Sequence, residues 1–419
     1  MKNPTVIRDS VTPEKEYVMD YVHQICEPAG EMVFPLNGGT PLVGAGDAVL
    51  VGQKLSEGEN ALSTIHSACS GTVRSLERRS DGRKDTLSIV VDNDRKFLPA
   101  SVTGPENGWM ELGRSDILEK IRSGGALGTL PKRFPTAARI ASLDPEDVPG
   151  IVVDGSEWEP WISSDDDILR TRSFGVVTGL RILMRLFPGA EGVILVGDDR
   201  QSTVSYLLDA IREAAGICIV TVPAGKPVGN EETISRMLFG DGDSPGIIVT
   251  PAEANAVCDA VCSSDPFIRR VVTVAGDAVR NPGNYLVRIG TSCSELLKAA
   301  GGVRPGVIVE KAVLGGALTG IGLPTLDVPV QKHTGALLLF AGDRDKRVSG
   351  CIRCGRCADI CPVGLMPMLL LRSAERGEFS RFDRLRGHEC IECGACTWIC
   401  PSKQPLSEKI GYAMNLSGK

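Results

Sequence analysis

CIRCGRCADICP (residues 351–362) and CIECGACTWICP (residues 390–401) are two copies of one pattern, C-x-x-C-x-x-C-x-x-x-C-P, and they decide how the C-terminal part of the chain folds. Three thiolates at three-residue intervals, with small residues such as Gly355 and Gly394 between them, suit a loop wrapped closely around an inorganic cluster. The spacing is that of paired [4Fe-4S] centres, in which the fourth cysteine of each run serves the other cluster. The expected ligand sets are therefore Cys351, Cys354, Cys357 and Cys400 for one cluster, and Cys390, Cys393, Cys396 and Cys361 for the second. Zinc is the competing reading, but its four-thiolate sites are usually built from two separated C-x-x-C knuckles, which tandem runs ending in Cys-Pro fit poorly. A pair of clusters kept only to stabilise the fold is a further alternative. Two adjacent centres favour electron transport instead. The intervening MPMLLLRSAERGEF (366–379) reads as a core helix that packs through Leu369, Leu370 and Leu371, being too short and too charged for a membrane anchor.

Eight of the 14 cysteines lie in those two runs. Such clustering argues for metal in a reducing compartment rather than for a secreted disulfide framework. Cys26, Cys69, Cys218, Cys258, Cys262 and Cys293 have no ligand spacing and read as buried thiols, although Cys258 and Cys262 would share a helix face. A length of 419 residues implies about three domains. Hydrophobic content of 42%, charged content of 23% and a mean hydropathy of +0.03 exclude a disordered chain and a polytopic membrane protein. With 46 Lys and Arg against 52 Asp and Glu, the net charge of −6 argues against a nucleic-acid partner. The N-terminus, MKNPTVIRDS, has no apolar signal core, and no apolar run reaches the roughly 18 residues of a membrane span, so any membrane association is expected to go through a partner.

Upstream of the cysteines the pattern changes three times. Residues 1–29 read as an N-terminal extension packing on the next domain. Residues 30–100 give short strands separated by turns, among them MVFPL, VGAGDAVLVGQKL, ACSGTVRSLE and TLSIVVD, the signature of a small β domain. Its GDAVLVGQKL and SGTV segments look like the biotinyl/lipoyl barrel-sandwich fold, but the tip between them, EGENALSTIH, has no lysine to carry a swinging arm. Residues 112–268 alternate strands and helices. GIVVD (150–154), GVILVG (192–197), ICIVTV (217–222) and GIIVT (246–250) are continuous apolar runs, as parallel strands covered on both faces require. Val177, Leu180, Leu183, Met184 and Phe187 share one helix face, and Tyr206, Leu207, Ala210 and Ile211 share another. Residues 269–331 read as strand, Asn-Pro-Gly-Asn turn, strand and a helix from near Ser294, which suits a β-grasp module and equally a generic hairpin with a helix. Residues 332–419 form the helical, cysteine-rich end, although Ala336 to Ala341 fit a buried strand.

The order of parts, a barrel-sandwich domain with His66 and Ser70-Gly71, an α/β domain, a β-grasp module and a two-cluster segment, resembles the RnfC family of the Rnf ion-translocating ferredoxin:NAD oxidoreductase complex. The stretches carrying the resemblance are GDAVLVGQKL, FPTAARI, DGSEWEPWISSDD, AGDAVRNPGNY, SGCIRCGRCADICPVGLMP and HECIECGACTWICPSKQPL. The resemblance implies a multidomain α/β plus β protein: a barrel-sandwich domain, a parallel-sheet domain like the flavin subunit of complex I, a β-grasp module of the SLBB type and a helical ferredoxin-like domain with two [4Fe-4S] clusters. It further implies a peripheral subunit on the cytoplasmic face of a membrane complex that exchanges electrons between ferredoxin and NAD(H) while moving Na⁺ or H⁺. Its partners would be the membrane subunits and a ferredoxin-like cluster subunit, with FMN and NAD(H) bound in the α/β domain. Two alternatives accompany this reading: a flavin-less adaptor or relay subunit, and a soluble relative feeding another reductase or a cobalamin enzyme.

The implied cofactor site falls on Gly125, Gly128, Lys132, Arg139, Asp154, Glu157 and Glu159. A glycine-rich strand-to-helix loop lets backbone N–H groups approach phosphate. Here the family's approximate G-I-V-G-L-G-G-A-G-F-P-T has become Gly125-Ala-Leu-Gly128-Thr-Leu-Pro-Lys-Arg-Phe134-Pro135-Thr136. Three glycines are replaced by Leu130, Pro131 and Arg133, which add Cβ atoms and remove a donor, so weak binding of FMN and NADH is expected. Arg139 stands where the family has a phosphate-side lysine. Glu157, Glu159, Pro160, Asp165 and Asp166 match its acidic segment, and Asp154 replaces an asparagine expected beside the flavin. Those carboxylates would equally suit a solvated loop at a helix N-terminus.

Overall fold

The computed structural model describes residues 23–27, 29–58, 64–100, 108–128, 134–240, 245–342 and 347–416. At its centre is a parallel sheet in the order Ile217–Val222, Glu191–Gly197, Gly150–Gly155, Ile247–Val249. Alternate side chains go to opposite faces. Ile151, Val153, Ile194 and Val196 pack with the helices Ser173–Arg185 and Pro251–Ser263, whereas Val152, Val193, Leu195 and Ile248 pack with Ile234 of helix Glu231–Phe239. Burial on both faces accounts for the uninterrupted apolar runs. The exception is Ile217–Val222, an edge strand whose Cys218 is exposed. Tyr206 is 51% exposed on helix Gln201–Ile211, against the expected inward face; Leu207 and Ala210 are buried there and Val204 and Ile211 pack beside them. Caps set where two helices start. Thr250 accepts from Glu253 N–H at 3.1 Å just before Pro251, and Asn230 accepts from Thr233 N–H at 3.0 Å, each worth about 1 kcal/mol.

The β-grasp unit is larger than the sequence suggests. Its sheet runs Gln24–Ile25, Gly283–Arg288, Arg269–Ala275, Ala336–Ala341, Val309–Leu314, Ile321–Leu323, with helix Cys293–Ala299 packed on it through Leu296 and Leu297. One expectation is corrected here and one is extended. Ala336–Ala341 pairs with both Arg269–Ala275 and Val309–Leu314, so the unit extends beyond residue 331, because an apolar strand in mid-sheet buries both its faces. The described end of the N-terminal extension reaches the same sheet as well as the barrel: Gln24 and Ile25 pair with Tyr285 and Leu286, His23 Nδ1 stands 2.7 Å from an Asp167 carboxylate oxygen in the α/β domain, and the Ala29 carbonyl accepts from Asn93 of the barrel. The backbone edge offered by Gly283–Arg288 supplies the hydrogen bonds.

The barrel-sandwich domain pairs Glu31–Pro35, Asp85–Asn93, Gly71–Ser80 and Ala48–Val49 in one sheet and Thr40–Pro41, Lys54–Glu57 and Ile65–His66 in another, around Met32, Phe34, Leu55 and Ile89. The hairpin tip 59–63 lies outside the described residues. The C-terminal domain consists of short helices, Arg356–Asp359, Pro367–Glu375, Phe379–Arg384, Ala395–Trp398 and Leu406–Leu416. Leu370 and Leu371 are buried, as a packing face requires. Among the described residues no helix is long and apolar enough to cross a membrane.

Candidate redox site

Each cysteine run folds as a loop that turns into a four-residue helix, and the two loops repeat one another in backbone conformation. Arg353 and Gly355 have positive φ in the first, and Glu392 and Gly394 occupy the matching places with positive φ in the second. Cys351, Cys354, Cys357 and Cys400 line one cavity of about 210 Å³, walled by Ile352, Met366, Met368 and Leu369. On the other side Cys361 lies near enough to Cys390, Cys393 and Cys396 for its charge to push each of those thiols up. Cys400 acts in the same way on Cys357. The fourth cysteine of each run thus stands with the other run.

Burial is the main cause of these shifts, raising Cys393 to about 11 and pushing Cys357, Cys390 and Cys396 up as well. Thiols so placed ionise when a metal takes the proton's position, so loading releases protons. Backbone N–H groups already point at sulfur: Arg353 N–H donates to Cys351 Sγ and Leu365 N–H to Cys361 Sγ, each at 3.4 Å. Among the described residues no three His, Cys, Asp or Glu side chains gather around a single-ion centre. Cys351, Cys354, Cys357 and Cys400 line a space of cluster size, and an all-thiolate donor set with N–H···S bonds fits iron and sulfide.

A second feature is a cleft of about 280 Å³ at the carboxyl ends of the parallel strands, the usual place for a ligand in an open α/β sheet. Asp154, Ser156, Glu157, Trp158 and Glu159 line it from one side and Gly315, Gly316 and Gly320 of the β-grasp unit from the other. Two buried polar groups lie in its lining, the Ser156 hydroxyl beside the Asp154 carboxyl and Arg270 Nε, which has no hydrogen-bond partner among the described residues, and burial pulls the Arg270 guanidinium down against the opposing charge of Asp165. Both fit a ligand with anionic and hydroxyl groups. Sequence reading missed the pair; an arginine opening the apolar strand RRVVTVA was the available signal.

Of the residues that resemblance assigned to the cofactor, Asp154, Glu157 and Glu159 line the cleft, each engaged by neighbouring groups, and Arg139 does not. Arg139 forms an ion pair with Glu231 and donates to the Ile248 carbonyl at 3.0 Å, away from the cleft. Glu157 faces the amides of Asp165 and Asp166 at 2.8 and 3.3 Å, so its carboxylate fills the N-terminus of helix Ser164–Thr171. Glu159 accepts from Leu318 N–H at 3.0 Å and from Thr319 Oγ1, and its carboxylate fills the space a Cβ on Gly316 would need. Asp154 accepts from Ser156 N–H at 3.0 Å, and burial raises its carboxyl. Gly125 gives its carbonyl to Lys332, and Gly128 ends a two-residue strand paired with Phe134–Pro135. Lys132 lies outside the described residues, as do Leu130, Pro131 and Arg133.

Known proteins share this arrangement. Residues 11–96 match the RnfC barrel sandwich hybrid domain, 121–264 the Nuo51 FMN-binding domain, 271–322 the SLBB domain and 350–404 the 4Fe-4S dicluster domain. Over 359 residues, 82% of the chain, it is 32% identical to the RnfC protein of the ion-translocating oxidoreductase complex of Erwinia tasmaniensis. The chain belongs to the RnfC family. It spans 44% of that relative's length. The crystal structure of an NAD⁺-reducing [NiFe]-hydrogenase in its H₂-reduced state shares the fold, with a TM-score of 0.51 and 17% identity over 73% of this chain and 65% of that one. The C-terminal domain is thus a dicluster domain for two [4Fe-4S] clusters.

Proposed function

We propose that this RnfC-family chain is the iron-sulfur electron-transfer subunit of an ion-translocating oxidoreductase. It would link NAD(H) and ferredoxin redox chemistry to Na⁺ or H⁺ movement while attached at the cytoplasmic face through membrane subunits and a ferredoxin-like cluster subunit. The observation that carries this reading is the sorting of eight thiols into two crossed sets beside an α/β cleft. Cys351, Cys354, Cys357 and Cys400 would hold one cluster, and Cys361, Cys390, Cys393 and Cys396 the other. FMN or NAD(H) would lie in the cleft, with Arg270 and Ser156 meeting its polar groups. A flavin bound there exchanges two-electron hydride chemistry for one-electron transfer. Anaerobic purification should give about eight irons and eight acid-labile sulfides per chain, and co-expression with the membrane subunits should bring the chain into the membrane fraction. A chain that holds zinc without sulfide, or stays out of the complex, overturns the proposal.

A flavin-less relay is the second reading, favoured by the internal partners of Arg139, Glu157 and Glu159. Flavin titration of the anaerobic protein separates the two. Submicromolar binding with NADH-driven cluster reduction supports the first, and absence of binding the second.

A further inference from the structure

Trp158 belongs to two places at once. It lines the cleft, and with Leu318 it packs on the buried cluster formed by Ile360, Leu371, Ala395, Cys396 and Leu406 in the C-terminal domain. Leu318 comes from the β-grasp loop whose Gly315, Gly316, Thr319 and Gly320 form the opposite wall of the cleft, and Glu159 holds that loop through the Leu318 N–H. The loop presses directly on the second cysteine run. At Gly394, which has φ +75°, a Cβ would stand 3.1 Å from Leu318 Cβ and 3.2 Å from its carbonyl oxygen. A side chain there would force Leu318 to give way, and the backbone between Cys393 and Cys396 therefore sits against the loop whose neighbouring residues wall the cleft. The first ligand set reaches the same buried cluster of side chains through Cys357 and Cys400, but the rest of the first run's loop is turned to the surface. Cys354 is exposed, whereas Cys396 is buried, and next to Cys354 Ile352 is 66% and Met366 52% exposed.

We infer that Trp158 and Leu318 form the seam joining the cleft to the cluster held by Cys361, Cys390, Cys393 and Cys396. That cluster is the cleft-side centre, and the one held by Cys351, Cys354, Cys357 and Cys400 is the outward, partner-side centre. Trp158 is a positioning residue in this arrangement: it excludes water from the cleft-side centre and fixes its distance from whatever the cleft holds. Glu159, assigned by resemblance to the cofactor, serves instead to clamp the loop that carries Leu318. The inference rests on the two-cluster reading above.

The test follows iron release from the full anaerobic chain treated with ferricyanide and a ferrous chelator, together with redox-titrated EPR of both clusters. Two phases of equal amplitude are expected, the fast one from the exposed centre, so that Cys354→Ser alters the fast phase alone. Trp158→Ala should speed the slow phase several-fold and shift the midpoint of that cluster's EPR signal only, while Trp158→Phe should keep wild-type behaviour. The inference is overturned if Trp158→Ala changes the fast phase, or neither phase, or if the wild-type protein loses iron first from the Cys390 set. A chain that purifies without acid-labile sulfide fails the cluster reading itself, a separate result. The order of the phases in the wild-type protein decides the assignment of inner and outer centres even if every Trp158 variant folds poorly.

Discussion

Lys332 Nζ donates to the carbonyl of Gly125 at 2.6 Å and to that of Thr64 at 2.9 Å. One side chain from the β-grasp unit thereby joins Gly125 of the α/β domain to the barrel-sandwich domain. Burial pulls the Lys332 amine down to about 7 from its ordinary 10.5.

Replacing Lys332 by Met should leave both carbonyls buried without a donor, at about 1 to 3 kcal/mol each. A lower melting temperature, with the clusters retained, is the expected outcome of differential scanning calorimetry. The pH dependence gives an independent check. Between about pH 7 and 10.5 the unfolded chain binds the proton and the folded chain does not, so Lys332 makes stability rise with pH across that window. The variant should lose this rise, and an unchanged slope would remove Lys332 from the account.

Glu253 has the opposite sign. Burial raises its carboxyl to about 7 from an ordinary 4.5, with Thr136 Oγ1 donating to it at 2.6 Å. Between those values the folded state binds more protons. The stabilisation is complete below about pH 4.5 and is lost as pH rises through about 7. Glu253→Gln, which keeps an acceptor for Thr136, should flatten the fall in melting temperature across that window.

Crossed ligation predicts that Cys361→Ser damages the cluster built by Cys390, Cys393 and Cys396, removing about half the iron and one of two EPR signals. If the lost signal is instead the one that Cys354→Ser abolishes, the sets are sequential.

Flavin affinity should depend on Arg270 rather than on Arg139. Loss of a charge-assisted hydrogen bond at Arg270 should weaken binding by about 1.5 to 3 kcal/mol, whereas Arg139→Ala, which breaks the pair with Glu231, should lower the melting temperature and leave the flavin dissociation constant nearly unchanged. Fluorescence titration of the two variants decides this.

The elements that rest on local pattern were legible. Continuous apolar runs marked the four parallel strands, and the cysteine spacing marked the two-cluster domain. What escaped depends on long-range packing. Nothing around Gln24 shows that it meets Tyr285, and Ala336–Ala341 reads as a strand without revealing which sheet receives it. Side-chain roles were harder still. Arg139, Glu157 and Glu159 carry the right charge for a cofactor, but a charge in sequence does not say which neighbour claims it: Glu231, the helix amides and Leu318 do so here. Arg270 and Trp158 gained their positions only when the β-grasp unit closed on the α/β domain.

The matching conformations of the two cysteine loops bear on how the domain is made. Each helix that follows a loop has four residues, too few to persist without tertiary support, and each loop has beside it a cysteine from the other run. Neither half is therefore a finished receptacle. A delivery system that inserts the first cluster meets a pocket lacking its fourth thiol until the other half closes, so the first insertion should draw the two halves together and leave the second site better formed than it was in the empty chain.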